Sequence, residues 1–118
     1  MKHILFVYNA NSSLFAQITD YTHKLLSPET YQCNLCKLTY DNFGMKQDWK
    51  KFIQNLPYKI SFLHKDEFVV RYSEYNMSGF PAVFEITNNR ITQRISTEEI
   101  NKQKTIQALE KLVEEKLA

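Results

Sequence analysis

Residues 3–8, His-Ile-Leu-Phe-Val-Tyr, form an unbroken run of strand-forming, mostly apolar side chains. Successive side chains of a strand point to opposite sides, so a strand with one wet face alternates apolar with polar residues. A run without alternation predicts a strand covered on both faces, as in sheets that carry helices on either side. That segment selects an α/β architecture. The chain of 118 residues fits one such domain and is long enough to bury a core without covalent staples.

The rest of the chain reads as alternating elements. Asn9-Ala-Asn-Ser-Ser13 is a loop that offers Ser12 and Ser13 as helix N-caps. Leu14, Ile18, Tyr21 and Leu25, widened by Phe15 and Leu26, fall at helical spacing, and Ser27-Pro28 ends that helix. Residues 37–40 read as a short strand and Asp41-Asn-Phe-Gly44 as a turn. Met45, Trp49, Phe52, Ile53 and Leu56 share one helical face, closed by Pro57. Residues 58–63 are expected to form a second buried strand, and Asp66 to cap a short helix through about Tyr72. Ser78-Gly-Phe-Pro81 reads as a turn. Residues 82–86 and 90–95 flank Thr87-Asn-Asn89 as a β-hairpin. Ser96-Thr-Glu-Glu99 has the form of a capping box, ahead of a last helix that buries Ile106, Leu109, Leu112, Val113 and Leu117. The order is β-α-(β)-α-β-α-β-β-α. Its first half requires a right-handed crossover and a parallel pair, and its second half closes with an antiparallel hairpin and a helix.

Composition narrows the function classes. A share of 43% hydrophobic and 24% charged residues is that of an ordinary globular protein. The 14% of aromatic residues fall mostly in the periodic segments and are read as core. The formal net charge is only +2, and Lys and Glu alternate along the C-terminal segment as a solvated helix face. No basic cluster points to a nucleic-acid partner. The apolar run at residues 4–8 is shorter than a signal peptide requires and lacks a cleavage site. No run approaches the length of a membrane span. The expected compartment is the cytoplasm, where thiols stay reduced. Two cysteines at C-x-x-C spacing, Cys33-Asn-Leu-Cys36, then point to redox chemistry, metal binding or no chemistry, rather than to a structural staple.

The geometry of that pair decides what it can do. Residues i and i+3 face opposite ways on a strand and the same way on a helical turn. Cys33 and Cys36 therefore meet only across a turn or at a helix start. At a helix start the local dipole and backbone donors stabilise a thiolate, and Lys37 adds a neighbouring positive charge. Such a pair exchanges with a protein or small-molecule disulfide. The metal reading takes Cys33 and Cys36 as half of a zinc site, with His64 as a further ligand; His3 and His23 are the remaining imidazoles. In the third reading both cysteines are small buried hydrophobes. His64, Asp66 and Glu67 offer an imidazole–carboxylate acid–base group. The simpler account of them is a helix start, with Asp66 as the cap and Glu67 in the first turn. Trp49 is read as packing in the core.

The element order, with Gly79-Phe-Pro81 entering the hairpin, resembles the thioredoxin-like fold. Residues 3–26 resemble its first strand and helix. Residues 58–118 resemble its next strand, short helix, cis-proline turn, hairpin and closing helix. Residues 29–56 stand as an insertion that carries the C-x-x-C motif. The resemblance implies a single domain over residues 1–118, with a mixed four- to five-stranded sheet flanked by helices on both faces. It also implies a cis Pro81, and Phe80 and Pro81 as the backbone that meets a substrate. In thioredoxins the C-x-x-C pair sits where the first strand meets its helix. Here that place holds Asn9-Ala-Asn-Ser-Ser13, which excludes thiol chemistry there and leaves it to the displaced Cys33 and Cys36. The string Tyr31-Gln-Cys33-Asn-Leu-Cys36-Lys-Leu-Thr-Tyr40, with Gly44-Met45, Trp49 and Phe62-Leu-His64-Lys-Asp66-Glu67-Phe68, also resembles a group of small bacterial proteins without an established activity. The expectation is a thioredoxin-like thiol–disulfide oxidoreductase. The alternative is a non-enzymatic thioredoxin-like binding module, which uses Phe80 and Pro81 or a metal held by the cysteines.

Overall fold

A computed structural model describes residues 2–9, 34–41, 44–72 and 79–117. Its centre is β1 (His3–Tyr8), paired on both sides. One neighbour is β4 (Lys59–His64), parallel and in register from His3 against Lys59 to Tyr8 against His64. The other is β5 (Ala82–Thr87), antiparallel, with Val7 against Ala82. A hairpin adds β6 (Arg90–Ile95), so the sheet order is β4-β1-β5-β6. Two short strands, β2 (Tyr40–Asp41) and β3 (Gly44–Met45), pair separately. The helices are α1 (Asn34–Thr39), α2 (Gln47–Asn55), α3 (Lys65–Arg71), α4 (Thr97–Asn101) and α5 (Ile106–Leu117). The result is a compact α/β domain with a mixed four-stranded sheet, one parallel pair and flanking helices.

The unbroken apolar run is explained by the two faces of β1. Ile4, Phe6 and Tyr8 point into one cluster with Val83 and Ile95 of the sheet, Leu35 and Cys36 of α1, Trp49 of α2, Ile100 of α4, and Leu109, Val113 and Leu117 of α5. Leu5 and Val7 point the other way, into a cluster with Leu63, Ala82, Phe84 and Phe68 of α3. Period-2 alternation thus feeds two cores from one strand, and helices lie on both faces.

The β5–β6 hairpin turns through Asn88 and Asn89, both at positive φ (51° and 66°). Two consecutive left-handed residues make the turn whose twist suits a two-residue hairpin, and asparagine tolerates that conformation. Val83 pairs with Ile95 but Phe84 with Gln93, so Arg94 is an extra residue in β6. This bulge reverses the alternation. Ile95 enters the first cluster and Ile91 packs against the second, although they are four residues apart. Arg94 donates to Glu85 and, at 2.8 Å, to the carbonyl of Lys116. Tyr58 Oη donates to the Leu117 carbonyl at 2.6 Å. The sheet and the segment before β4 thereby satisfy terminal carbonyls that α5 cannot satisfy itself.

Several sequence expectations change. Residues 37–39 belong to α1 rather than to a strand, and only Tyr40 and Asp41 are extended. Leu35, Cys36 and Thr39 bury one helical face, and Thr39 Oγ1 donates to the Leu35 carbonyl at 2.6 Å. Met45 lies in β3, not on α2. The second strand is not buried throughout: only Leu63 is, and among the described residues β4 ends the sheet order and pairs with β1 alone. The N-cap of α3 is His64 rather than Asp66: the helix leaves β4 directly, and Glu67 accepts from the His64 N–H at 2.8 Å. The Ser96–Glu99 capping box forms, with Glu99 N–H donating to Ser96 Oγ at 3.1 Å and Ser96 N–H to Glu99 at 2.9 Å. It starts α4, a separate short helix, and Thr105 then caps α5 by accepting from the Ala108 N–H at 3.1 Å. The expected helix over residues 14–26 lies outside the described residues. No described helix is long and apolar enough to cross a membrane.

Trp49 is fully buried, edge-on to Phe6 and stacked on Phe52, yet its Nε1 has no hydrogen-bond partner among the described residues. An orphaned buried donor costs about 1–3 kcal/mol. Trp49→Phe is therefore expected to cost under about 1.5 kcal/mol, the loss of packing being offset by removal of the N–H. Trp49→Ala should cost about 3–5 kcal/mol. Urea unfolding of both variants checks the difference. Glu99 is held below its ordinary value of 4.5, first by its hydrogen bond to Lys116 and then by the Ser96 N–H. A depressed carboxyl gives stability above its unfolded value and loses it as pH falls through the folded one. Glu99→Gln should therefore be less stable than wild type near neutrality, with the gap closing as urea midpoints are taken from about pH 5 to about pH 3.

Candidate functional site

Four chain-distant pieces meet beyond the C-terminal end of β1. Asn9 follows that strand, and Phe80 lies just before β5. Asn34, Lys37 and Leu38 come from α1. Asn101, Gln103 and Lys104 come from the link between α4 and α5. Together they line an open groove of about 610 Å³. Ligands of open α/β sheets collect beyond the carboxyl ends of parallel strands, and β1 is half of the parallel pair.

Each piece has a reason to be there. The Phe80-Pro81 peptide is cis, as the resemblance implies, and Pro81 is buried. The Phe80 ring stands edge-on to Phe68 at 5.7 Å, and Phe68 stacks on Phe84 at 4.9 Å, so α3 fixes this loop from below. At Gly79 the backbone passes close to α4: a Cβ there would lie 3.3 Å from Thr97 Oγ1. On the far side, Asn34 Nδ2 donates to the Ile100 carbonyl at 2.7 Å and to the Gln103 carbonyl at 3.0 Å. One side chain thus ties the first residue of α1 to the α4–α5 link and answers carbonyls that the break between those helices releases.

Cys36 is 3% exposed and packs in the larger core cluster. Cys33, the residue before α1, lies outside the described residues. Cys36 lies on a helix, described from Asn34 to Thr39, and not on a flat strand.

His64 does not line the groove. Its Nδ1 is within hydrogen-bond distance of Glu67, its ring centroid is 6.1 Å from that of Tyr8, and it caps α3. Glu67 is held below its usual range, chiefly by the His64 backbone N–H. Tyr8 donates to Tyr40 Oη at 3.5 Å, and burial foremost, then Tyr40, pushes its hydroxyl well above the usual range. His3 sits at the other end of β1, within 2.8 Å of Ser61 Oγ. Burial and then Lys59 lower its pKa. His23 lies outside the described residues. Among the described residues no three of His, Cys, Asp and Glu converge on a metal position. The sequence reading missed Asn34 as an anchor and Asn101, Gln103 and Lys104 as site residues. Their segment reads as solvated helix because the break at residues 102–105 has neither Gly nor Pro; the available signal is Thr105, a cap residue inside a supposed helix.

Comparison with protein-family models, curated proteins and solved structures finds no match to this chain.

Asn34→Ala removes both donations; the Ile100 carbonyl keeps the Gln103 N–H at 3.1 Å, and the Gln103 carbonyl has to find another partner. The expected cost of the substitution is about 1–3 kcal/mol, read as a lower urea midpoint. Asn34→Asp should cost at least as much, since a carboxylate cannot donate to either carbonyl.

Proposed function

We propose that this chain is a thioredoxin-like thiol–disulfide protein whose Cys33/Cys36 pair works at the groove beside Phe80. One observation carries the reading. The groove that receives Asn9 and Phe80 is also lined by Asn34 and Lys37, the residues that follow Cys33 and Cys36 in sequence. Neighbours in sequence of the displaced cysteines thus line the same groove as the loop that the resemblance assigns to substrate binding, which supports the reading. The parallel β1–β4 pair, the antiparallel hairpin and the closing α5 support the thioredoxin-like part of the reading.

The burial of Cys36 supports a division of roles. A sulfur as enclosed as that of Cys36 is shielded from a bulky disulfide, and exchange requires access to the attacking sulfur. Cys33 is therefore the attacking residue and Cys36 the resolving one. The Cys33 thiolate bonds to one sulfur of the partner disulfide, and the other partner sulfur leaves as a thiolate that takes up a proton. The Cys36 sulfur, giving up its proton, then bonds to Cys33 and releases the second partner thiol. The partner gains two electrons and the Cys33–Cys36 dithiol loses them. An external dithiol reductant restores the pair. The partner is a protein or small-molecule disulfide.

A second reading follows from the same burial. Cys36 packs among Leu35, Trp49 and Ile100 as a small apolar residue would, and the domain then acts as a binding module without redox activity. The test is insulin-disulfide reduction with dithiothreitol as the reductant. Exchange predicts that Cys33→Ser abolishes turnover, and that Cys36→Ser accumulates a mixed disulfide visible by mass spectrometry. It also predicts two titratable thiols after reduction and none after mild oxidation. Two thiols that stay free under oxidant, or wild-type turnover in Cys33→Ser, would overturn it in favour of the binding module. A tightly bound zinc that protects both cysteines from alkylation would overturn it in favour of the metal reading.

A further inference from the structure

We infer that the partner is a polypeptide disulfide whose extended flanking chain runs past Asn101 into a second groove between β6 and α4; this rests on the exchange reading above and names its substrate class. The second groove holds about 530 Å³. Its described lining includes Gly79, Gln93 of β6, Thr97 and Asn101 of α4, and the charged pair Glu98 and Lys102. The two grooves meet. Asn101 lines both, and the consecutive residues Gly79 and Phe80 line one each. Sites for small molecules hold about 300–1,000 Å³. Either groove falls within that range, but the joined trough, with about 610 Å³ on one side and 530 Å³ on the other, exceeds it. The second groove also suits a main chain. The Gln93 and Asn101 amides and the Thr97 hydroxyl have no hydrogen-bond partner among the described residues. Amides and hydroxyls both donate and accept, which matches the alternating C=O and N–H groups of an extended chain. Glu98 and Lys102 lie 3.5 Å apart and answer each other, so this groove does not choose its occupant by charge. Gly79 keeps the junction open, since a Cβ there would stand 3.3 Å from Thr97 Oγ1. A small-molecule disulfide occupies the first groove and leaves these groups to water, whereas a polypeptide reaches both.

The experiment uses the full chain, reduced, and three symmetric disulfides of uncharged, end-capped peptides. Each peptide has one central cysteine among Gly, Ala and Ser, and is three, seven or eleven residues long. The expected kcat/KM rises about tenfold from three to seven residues, the return on one or two hydrogen bonds, and under about twofold beyond. The step should persist at 0.5 M salt, because charge does not make it. Gln93→Ala together with Thr97→Val removes two of the three polar groups and should reduce the step to under about threefold. Asn101→Ala, at the junction, should reduce it likewise. Thr92→Ala, on β6 and outside the described lining of both grooves, should leave it in place. Equal kcat/KM at three and seven residues, a step lost at high salt, or a step that survives the double substitution would overturn the inference.

If no peptide is turned over, the exchange reading fails and the inference is read separately. Rhodamine-labelled peptides with Ser in place of Cys then report binding by anisotropy. The seven-residue peptide should bind wild type about tenfold tighter than the three-residue one, and the double variant under about threefold tighter. Equal binding of the two lengths to wild type, or binding of neither, would overturn it.

Discussion

Everything in this molecule is hung on β1. It pairs with β4 on one side and β5 on the other, and it sends Ile4, Phe6 and Tyr8 into one core and Leu5 and Val7 into the other. Each such side chain contributes about 1.5–3 kcal/mol on burial. The net stability of a domain is only about 5–15 kcal/mol, so a single polar substitution in this strand is a large fraction of the whole. The strand also locates the candidate site. Asn9 lines the groove because it is the first residue past the end of β1.

The C-terminal half brings the groove's other wall to the same place. The bulge at Arg94 points a guanidinium at the last carbonyls of α5, while Tyr58 reaches the same helix end from the segment before β4. With α5 fixed at its far end and capped by Thr105 at its near end, the α4–α5 link is held at a defined position. Asn34 reads that position with two hydrogen bonds. α1 is therefore oriented by tertiary contact rather than by its own propensity, which a helix of six residues could not supply alone.

What the sequence made legible follows from how local each signal is. The double-faced strand, the hairpin at Asn88 and Asn89, the capping box at Ser96 and Trp49 as core are written in short strings whose physics is complete within a few residues, whereas the cis Phe80-Pro81 peptide is expected only from the resemblance. The misreadings are places where a distant partner decides. Residues 37–39 favour a strand by composition, and burial of Leu35, Cys36 and Thr39 against the sheet makes them helix. The exposure of β4 goes with its place at the end of the sheet order among the described residues, which no local pattern reveals. His64 rather than Asp66 caps α3 because the helix starts without a loop, and a histidine is not a cap that composition suggests. The groove was invisible for the same reason: its residues are amides and lysines that acquire a role only when four segments converge.

The cysteine spacing carries a last physical consequence for the proposed reading. A cross-link stabilises a fold chiefly by closing a loop in the unfolded chain, and its return falls as the loop shortens. A bond between Cys33 and Cys36 spans two residues and joins no separate elements. The segment is already held without it: Leu35 is fully buried, Thr39 bonds back to Leu35, and Asn34 is tied to the α4–α5 link. The framework around the motif is therefore independent of the state of its sulfurs. On the exchange reading, that independence lets the pair open and close without unfolding the domain.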